Sequence, residues 1–335
     1  MSGAQIVSRH GVDLKAFREE IVPANEPVVL KDLVKDWPAV KAGERSAHEL
    51  GDYLRGLDRG KPVAVLEGPP SINGRFFYRE DMRALNFERR PATISATIER
   101  LLAQVDDPNP AALYIESTPT AEYLPSFAAA NSQPLLPAAV GPRIWIGNML
   151  TVAPHFDLSS NIACVVCGRR SFTLFPPEQV ANLYIGPFEF NVSGSPISMV
   201  SLKSPDLVRF PRFAEALRHS RSAELTPGDA IYIPYGWWHH VESLTPFNVL
   251  ANYWWNDARQ GGSPFDCMLH AMLTLRDLPP EQRDVWRKMF DHYVFTAPDD
   301  ALAHLPREMR GLQGPPSPER TQMIRAILAK AFTRG

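Results

Sequence analysis

Between residues 111 and 256 the chain changes from apolar to polar and back in short runs: "ALYIES", "PRIWIGNM", "NIACVVC", "SFTLFPP", "DAIYIP", "WWHHVESL" and "FNVLANYWW". Successive side chains of a strand point to opposite faces, and short runs of this kind punctuated by Gly and Pro read as strands of a sandwich or barrel. The flanks read differently. Before residue 110, "DLKAFREEIV", "SAHELGDYLRGL" and "TISATIERLLAQV" carry apolar residues at helical spacing, interleaved with strand-like "PVVLKDL" and "KPVAVLEG". After residue 260 the pattern is helical. "SPFDCMLHAMLTLRDL" opens with Ser263 and Pro264 in N-cap and first-turn positions, and "SPERTQMIRAILAKAF" repeats that start. The pattern predicts a mixed α/β region over 1–110 packing on the core, a β core over 111–260 and a helical region over 261–335. The expected fold class is mainly β with flanking helices.

Composition narrows the function classes. The 335 residues are 44% hydrophobic, ample for a sizeable core, and the formal charge is -2. Nothing in that balance is the footprint of a nucleic-acid binder or of a membrane-surface protein. Cys164, Cys167 and Cys267 are an odd number without a disulfide framework. The opening "MSGAQIVSRHGVDLKAF" has no apolar signal region, and no run of about 18 apolar residues occurs. The expectation is a cytoplasmic, reducing setting. Cys164 and Cys167 have Cys-x-x-Cys spacing but lie mid-strand, so they read as small packing residues facing opposite sides.

The candidate chemistry begins with "TVAPHFDLSSN". Alternation along a strand sends His155 and Asp157 to one face. A lone His-x-Asp is a weak motif, and it needs a partner. "IPYGWWHHVESL" offers one: His239 and His240 are adjacent, so on a strand they face opposite ways and only one can join the pair. Two histidines and one carboxylate with positions left open is the facial arrangement of non-haem Fe(II) oxygenases, whereas a structural site would close with four protein ligands. Alternation does not decide between His239 and His240. Asn252 sits inside the apolar "VLANYWW", where a buried amide needs partners.

"PHFDLSSN", "CGRRSFTLFPPEQ", "PGDAIYIPYGWWHHVESL" and "NVLANYWW", in this order and spacing, resemble the JmjC or cupin-8 group of Fe(II)/2-oxoglutarate oxygenases. The particular likeness is to the asparaginyl hydroxylases of the hypoxia-inducible factor. The resemblance implies a double-stranded β-helix, the cupin jelly-roll. It implies iron on His155, Asp157 and His239, with His240 a neighbour. It gives the distal carboxylate of 2-oxoglutarate to Arg170, where the similar hydroxylase has lysine; arginine still fits, because its planar fork can hold a carboxylate with two bonds. Tyr114 and Thr151 match hydroxyl donors to that carboxylate, and Asn161 and Asn252 match amides near the metal. Trp254 matches a position near the substrate. Ile197 stands where the hydroxylase holds its target amide with glutamine, so asparagine hydroxylation does not carry over.

The implied activity is hydroxylation of a protein, peptide or small molecule, using Fe(II), 2-oxoglutarate and O2. Two other readings compete: a metal-binding cupin without oxygenase activity, such as an isomerase, and a non-catalytic binding module. The intact triad argues against the second. After residue 263, Val285, Met289 and Tyr293 form one apolar row and Trp286, Phe290 and Val294 the next; Ile324, Leu328 and Phe332 form a third. Rows this broad predict either packing on the chain's own barrel or a helical homodimer interface, and the homodimer is the expectation.

Overall fold

The computed structural model describes residues 3–192, 194–257, 262–296 and 302–332. The chain forms two compact units, Met1–Asn256 and Asp257–Gly335.

In the first unit the strands are β1 (Ala4–Gln5), β2 (Val7–His10), β3 (Val28–Lys31), β4 (Val63–Gly68), β5 (Glu88–Ala92), β6 (Ala112–Pro119) and β7 (Arg143–Gly147). They continue as β8 (Thr151–His155), β9 (Ser160–Cys167), β10 (Arg170–Phe175), β11 (Arg221–Leu225), β12 (Ala230–Ile233), β13 (Trp238–Ser243) and β14 (Asn248–Trp255). Among the described residues they build a five-stranded sheet in the order β1-β11-β10-β13-β8 and a nine-stranded sheet in the order β2-β3-β12-β9-β14-β7-β6-β4-β5. The two sheets wrap a common interior, which is the double-stranded β-helix of a cupin, mainly β with helices on its flank.

Alternation explains what faces that interior. Ala163 and Val165 of β9, Phe172 and Leu174 of β10, Ile231 and Ile233 of β12 and Leu250 of β14 pack into one cluster drawn from both sheets. Their neighbours one residue along, including Ile162, Cys164, Tyr232, Val249 and Ala251, turn outward. There they meet apolar faces of the helices Pro38–Arg45, Ala47–Leu57 and Ile94–Ala103. The first 110 residues also thread β1 into one sheet and β2 to β5 into the other. Asp229, in the turn before β12, fastens β3: it accepts from Lys31 Nζ, from the Asp32 N–H and from the Thr226 N–H and hydroxyl.

Irregularities fall where alternation was assumed. In β9, Val249 pairs with Cys167 and Leu250 with Val165, so Val166 is an inserted bulge residue. The bulge turns Cys167 into the same core cluster as Cys164, not to the opposite face. Both thiols are free and buried, and burial raises their pKa, Cys167 to about 11, so neither is a reactive thiolate. "DLKAFREEIV" is not one regular helix: a π-helical turn, Phe17–Ile21, separates Leu14–Ala16 from Val22–Ala24. The polar edge strand β5, "ERRPA", and β11, "RSAEL", lack an apolar run and are carried by their pairing partners.

The second unit contains the helices Pro264–Leu275, Pro280–Phe290 and Pro318–Phe332. Ser263 caps the first, its hydroxyl accepting from the Asp266 N–H. Val285, Trp286, Met289, Tyr293, Val294, Leu328 and Phe332 are exposed. The expected boundary at 260/261 lies outside the described residues. No helix among the described residues is long and apolar enough to cross a membrane.

Candidate metal centre

His155 ends β8 and His239 is the second residue of β13. The two are register partners on adjacent antiparallel strands, and their rings stand 4.2 Å apart, centroid to centroid. β8 carries a bulge just before this point: Ala153 and Pro154 together oppose the single residue His240. Alternation predicts His155 and Asp157 on one strand, but the structure separates them. β8 ends at His155, and Asp157 lies in the loop that follows. Phe156 between them packs on Trp238, ring centroids 4.8 Å apart, away from the pair.

Both histidines are tautomerically fixed. His155 Nδ1 is 3.0 Å from the Ala153 carbonyl and His239 Nδ1 is 3.2 Å from the Trp237 carbonyl. A carbonyl only accepts, so each Nδ1 carries a proton and each Nε2 is the nitrogen left for a ligand. His239 Nε2 is 3.6 Å from Asp157 Oδ2. One ligand atom from each of the three residues lies within 4.8 Å of the others. Asp157 Oδ2 is buried and has no hydrogen-bond partner. Burial, with the proximity of His155, pulls His239 down to about 4 against the opposing pull of Asp157, so at neutral pH it is an uncharged imidazole. An orphaned carboxylate oxygen beside two imidazole rings fits a divalent cation. His240 points the other way. Its Nε2 is 3.0 Å from Glu242 Oε1, and Glu242 pairs with Lys203 at 3.3 Å. His239, not His240, belongs to the cluster.

The triad opens into a cavity that also brings together Tyr114, Thr151, Asn161, Arg170, Asn252, Trp254 and Ile197. Arg170 is the first residue of β10 and 2% exposed. Its Nε and Nη2 have no hydrogen-bond partner. Burial lowers its pKa, opposed by interaction with the Tyr114 hydroxyl, whose own pKa burial raises. A guanidinium stays protonated in a protein, so this is a buried cation with idle donors, an arrangement that calls for an anion. Thr151, at the start of β8, is buried and lines the same cavity.

Asn252 and Asn161 are hydrogen-bonded to each other, Asn252 Nδ2 donating to Asn161 Oδ1 over 3.1 Å. Asn252 Oδ1 in turn accepts from Trp145 Nε1 over 2.7 Å. Trp145 lines the cavity and escaped sequence reasoning, since a lone tryptophan in the alternating "RIWIG" reads as core. Trp254 meets Trp145 edge-on at 5.9 Å and lies under the Arg143 guanidinium at 5.5 Å; its Nε1 is buried without a partner. Ile197 joins Phe76 and Val192 in an apolar wall. Tyr78 holds that segment by donating to the Phe190 carbonyl over 2.7 Å, and the Arg89 guanidinium donates to the Val192 carbonyl.

A His-Asp-His cluster lining the cavity of a double-stranded β-helix defines a cupin with a candidate metal centre. Residues 14–261 match the family model of the cupin-like domain, and the chain belongs to that family, the JmjC/cupin-8 proteins. It is 29% identical over 278 residues to HSPB1-associated protein 1 of Rattus norvegicus, covering 75% of this chain and 54% of that protein. It is 26% identical over 266 residues to Jumonji C domain-containing protein 5 of Drosophila melanogaster, covering 76% and 60%. A shorter match, 36% over 110 residues, covers 33% of this chain and 20% of Lysine-specific demethylase JMJ31 of Arabidopsis thaliana. The chain spans about half the length of the HSPB1-associated proteins it matches.

Proposed function

We propose that this protein is an Fe(II)- and 2-oxoglutarate-dependent oxygenase that hydroxylates a protein, peptide or small-molecule substrate. The observation that carries the reading is Arg170: a buried guanidinium with two unpartnered nitrogens, in the same cavity as the triad. A cupin that uses its metal alone has no need of a buried cation there. His155, Asp157 and His239 would hold the iron, and three protein ligands leave positions for co-substrate and O2. Bound Fe(II) supplies the redox chemistry that couples O2 to oxidation of the oxo-acid and of a substrate C–H. The balance is 2-oxoglutarate, O2 and substrate in; succinate, CO2 and hydroxylated substrate out.

The chain's own groups have separate tasks. Arg170, with Tyr114 and Thr151, would grip the distal carboxylate. Asn161 and Asn252 would line the cavity beside the metal, and the apolar wall of Phe76, Val192 and Ile197 would exclude water. Trp254 would bound the substrate end. The names of the relatives, one a lysine-specific demethylase and others associated with HSPB1, favour a protein as substrate or partner. The exposed apolar faces of Trp286, Met289, Tyr293 and Phe332 support a second copy of the chain as a further partner.

The test is incubation with Fe(II), ascorbate and labelled 2-oxoglutarate. Slow succinate release without added substrate is expected. Its absence from protein that demonstrably holds the metal would favour a metal-binding cupin without oxygenase activity.

A further inference from the structure

We propose that Trp145 is a positioning residue: its indole N–H fixes the direction of the Asn252–Asn161 amide pair and so turns a donor toward the oxo-acid held in this cavity. The inference rests on the reading of the cavity given under Proposed function. The direction of the amide pair does not, because it follows from what each atom is able to donate.

An indole nitrogen only donates. Trp145 Nε1 stands 2.7 Å from the Asn252 carboxamide, so the atom it meets there is the oxygen. Asn252 Nδ2 then faces Asn161 at 3.1 Å, and the atom it meets has to accept, so it is Asn161 Oδ1. The free end of Asn161 is therefore Nδ2. It donates to no protein group among the described residues, and Asn161 lines the cavity with the triad and Arg170. Asn161 and Asn252 are 5% and 1% exposed, so water does not compete at Asn252.

Trp145 is itself held in place. It lies on β7 opposite Leu250, two residues before Asn252 on the inward face of β14. Tyr114 packs on one side of its ring at 6.0 Å and Trp254 meets it edge-on at 5.9 Å. Without the indole N–H, both amides would be free to turn over together. Asn161 would then present its oxygen, an acceptor, to a ligand whose oxygens are acceptors too. With the N–H in place, Asn161 Nδ2 adds a donor to a cavity that already holds the unpartnered Arg170 Nε and Nη2. The pair thus tunes the cavity for an oxo-acid rather than for a neutral or cationic small molecule.

The experiment is calorimetric titration of the full chain, first with Mn(II) alone and then, Mn(II)-loaded, with N-oxalylglycine, the redox-inert analogue of 2-oxoglutarate. Trp145→Phe keeps a ring and removes only the N–H. It should bind Mn(II) like the wild type and bind N-oxalylglycine about 3- to 10-fold more weakly, the worth of one neutral hydrogen bond. Because Trp145 acts through Asn252, adding Trp145→Phe to Asn252→Ala should change the affinity less than about twofold. An unchanged affinity in Trp145→Phe, or a full further loss in the double variant, overturns the inference. So does parallel loss of Mn(II) binding, which marks a structural prop. A wild type that takes Mn(II) but no N-oxalylglycine refutes the oxo-acid reading itself, and the inference with it.

Discussion

Replacing Arg170 by methionine should hold or raise the stability of the fold while weakening its grip on 2-oxoglutarate. The side chain is 2% exposed and keeps two nitrogens without partners. In the unliganded protein its charge is desolvated, with the Tyr114 hydroxyl and the Cys167 thiol beside it. Exchanging an unpaired buried charge for an apolar chain of similar length removes its desolvation cost; for whole buried ion pairs such exchanges are neutral or stabilising by about 1–4 kcal/mol. For a unit of this size each kcal/mol moves the thermal midpoint by roughly 2–4 °C. With the oxo-acid bound, the variant leaves a buried carboxylate without its cation, which costs about 3–5 kcal/mol. At 1.4 kcal/mol per decade, the 2-oxoglutarate concentration for half-maximal turnover should rise by at least about a hundredfold. Arg170→Lys keeps the charge but loses the fork, and should fall between. The assay is succinate release against 2-oxoglutarate concentration, beside thermal melts of the metal-free protein. An unchanged 2-oxoglutarate requirement would refute the assignment. A raised requirement accompanied by a midpoint several degrees lower would assign Arg170 to the fold instead.

Three further outcomes follow from named contacts. His239→Ala should lose Mn(II) in a metal titration while His240→Ala keeps it, because the His240 ring turns away to Glu242; the reverse result would mean that the wrong histidine was chosen. Asp229→Asn should lower the melting midpoint at pH 7 and converge on the wild type only as the pH falls below the ordinary carboxyl range. Burial raises the Asp229 carboxyl, but Lys31, Thr226 and the Asp32 N–H together hold it below its ordinary value. A depressed folded pKa gives stability that is present above the unfolded value of about 3.9 and lost as pH falls through the folded one, so a pH-independent difference would contradict this. Sedimentation velocity should find a dimer for the full chain and a monomer for Trp286→Arg with Phe290→Glu; a wild-type monomer at micromolar concentration would remove the second copy from the account.

The site was legible in the sequence to the extent that each residue sits in its own short motif. "PHFD" and "WWHH" carry the triad, "CGRR" the guanidinium, and "VLANYWW" an amide too apolar in its surroundings to be idle. Each of these signals is local. Trp145 was not legible because its partner lies 107 residues away, and nothing near "RIWIG" announces a hydrogen bond. Alternation also failed wherever the ladder gains a residue. The Val166 bulge turned Cys167 to an unexpected face. The end of β8 at His155 left Asp157 to a loop, although Asp157 still reaches the cluster. The choice between His239 and His240 needed β8 as a neighbour, since only pairing opposite His155 says which face is inward. Edge strands such as "ERRPA" are formed by their partners and carry little signal of their own.

The central claim is that one cavity holds a divalent metal at one end and the carboxylate of an oxo-acid at the other. Crystals of the full chain grown with Mn(II) and 2-oxoglutarate, with anomalous diffraction at the manganese edge, test it most directly. The account predicts a single strong anomalous peak between His155 Nε2, Asp157 Oδ2 and His239 Nε2, and a distal carboxylate against Arg170 Nε and Nη2. A peak bound through His240, or a 2-oxoglutarate molecule whose distal carboxylate leaves Arg170 unpaired, would contradict it.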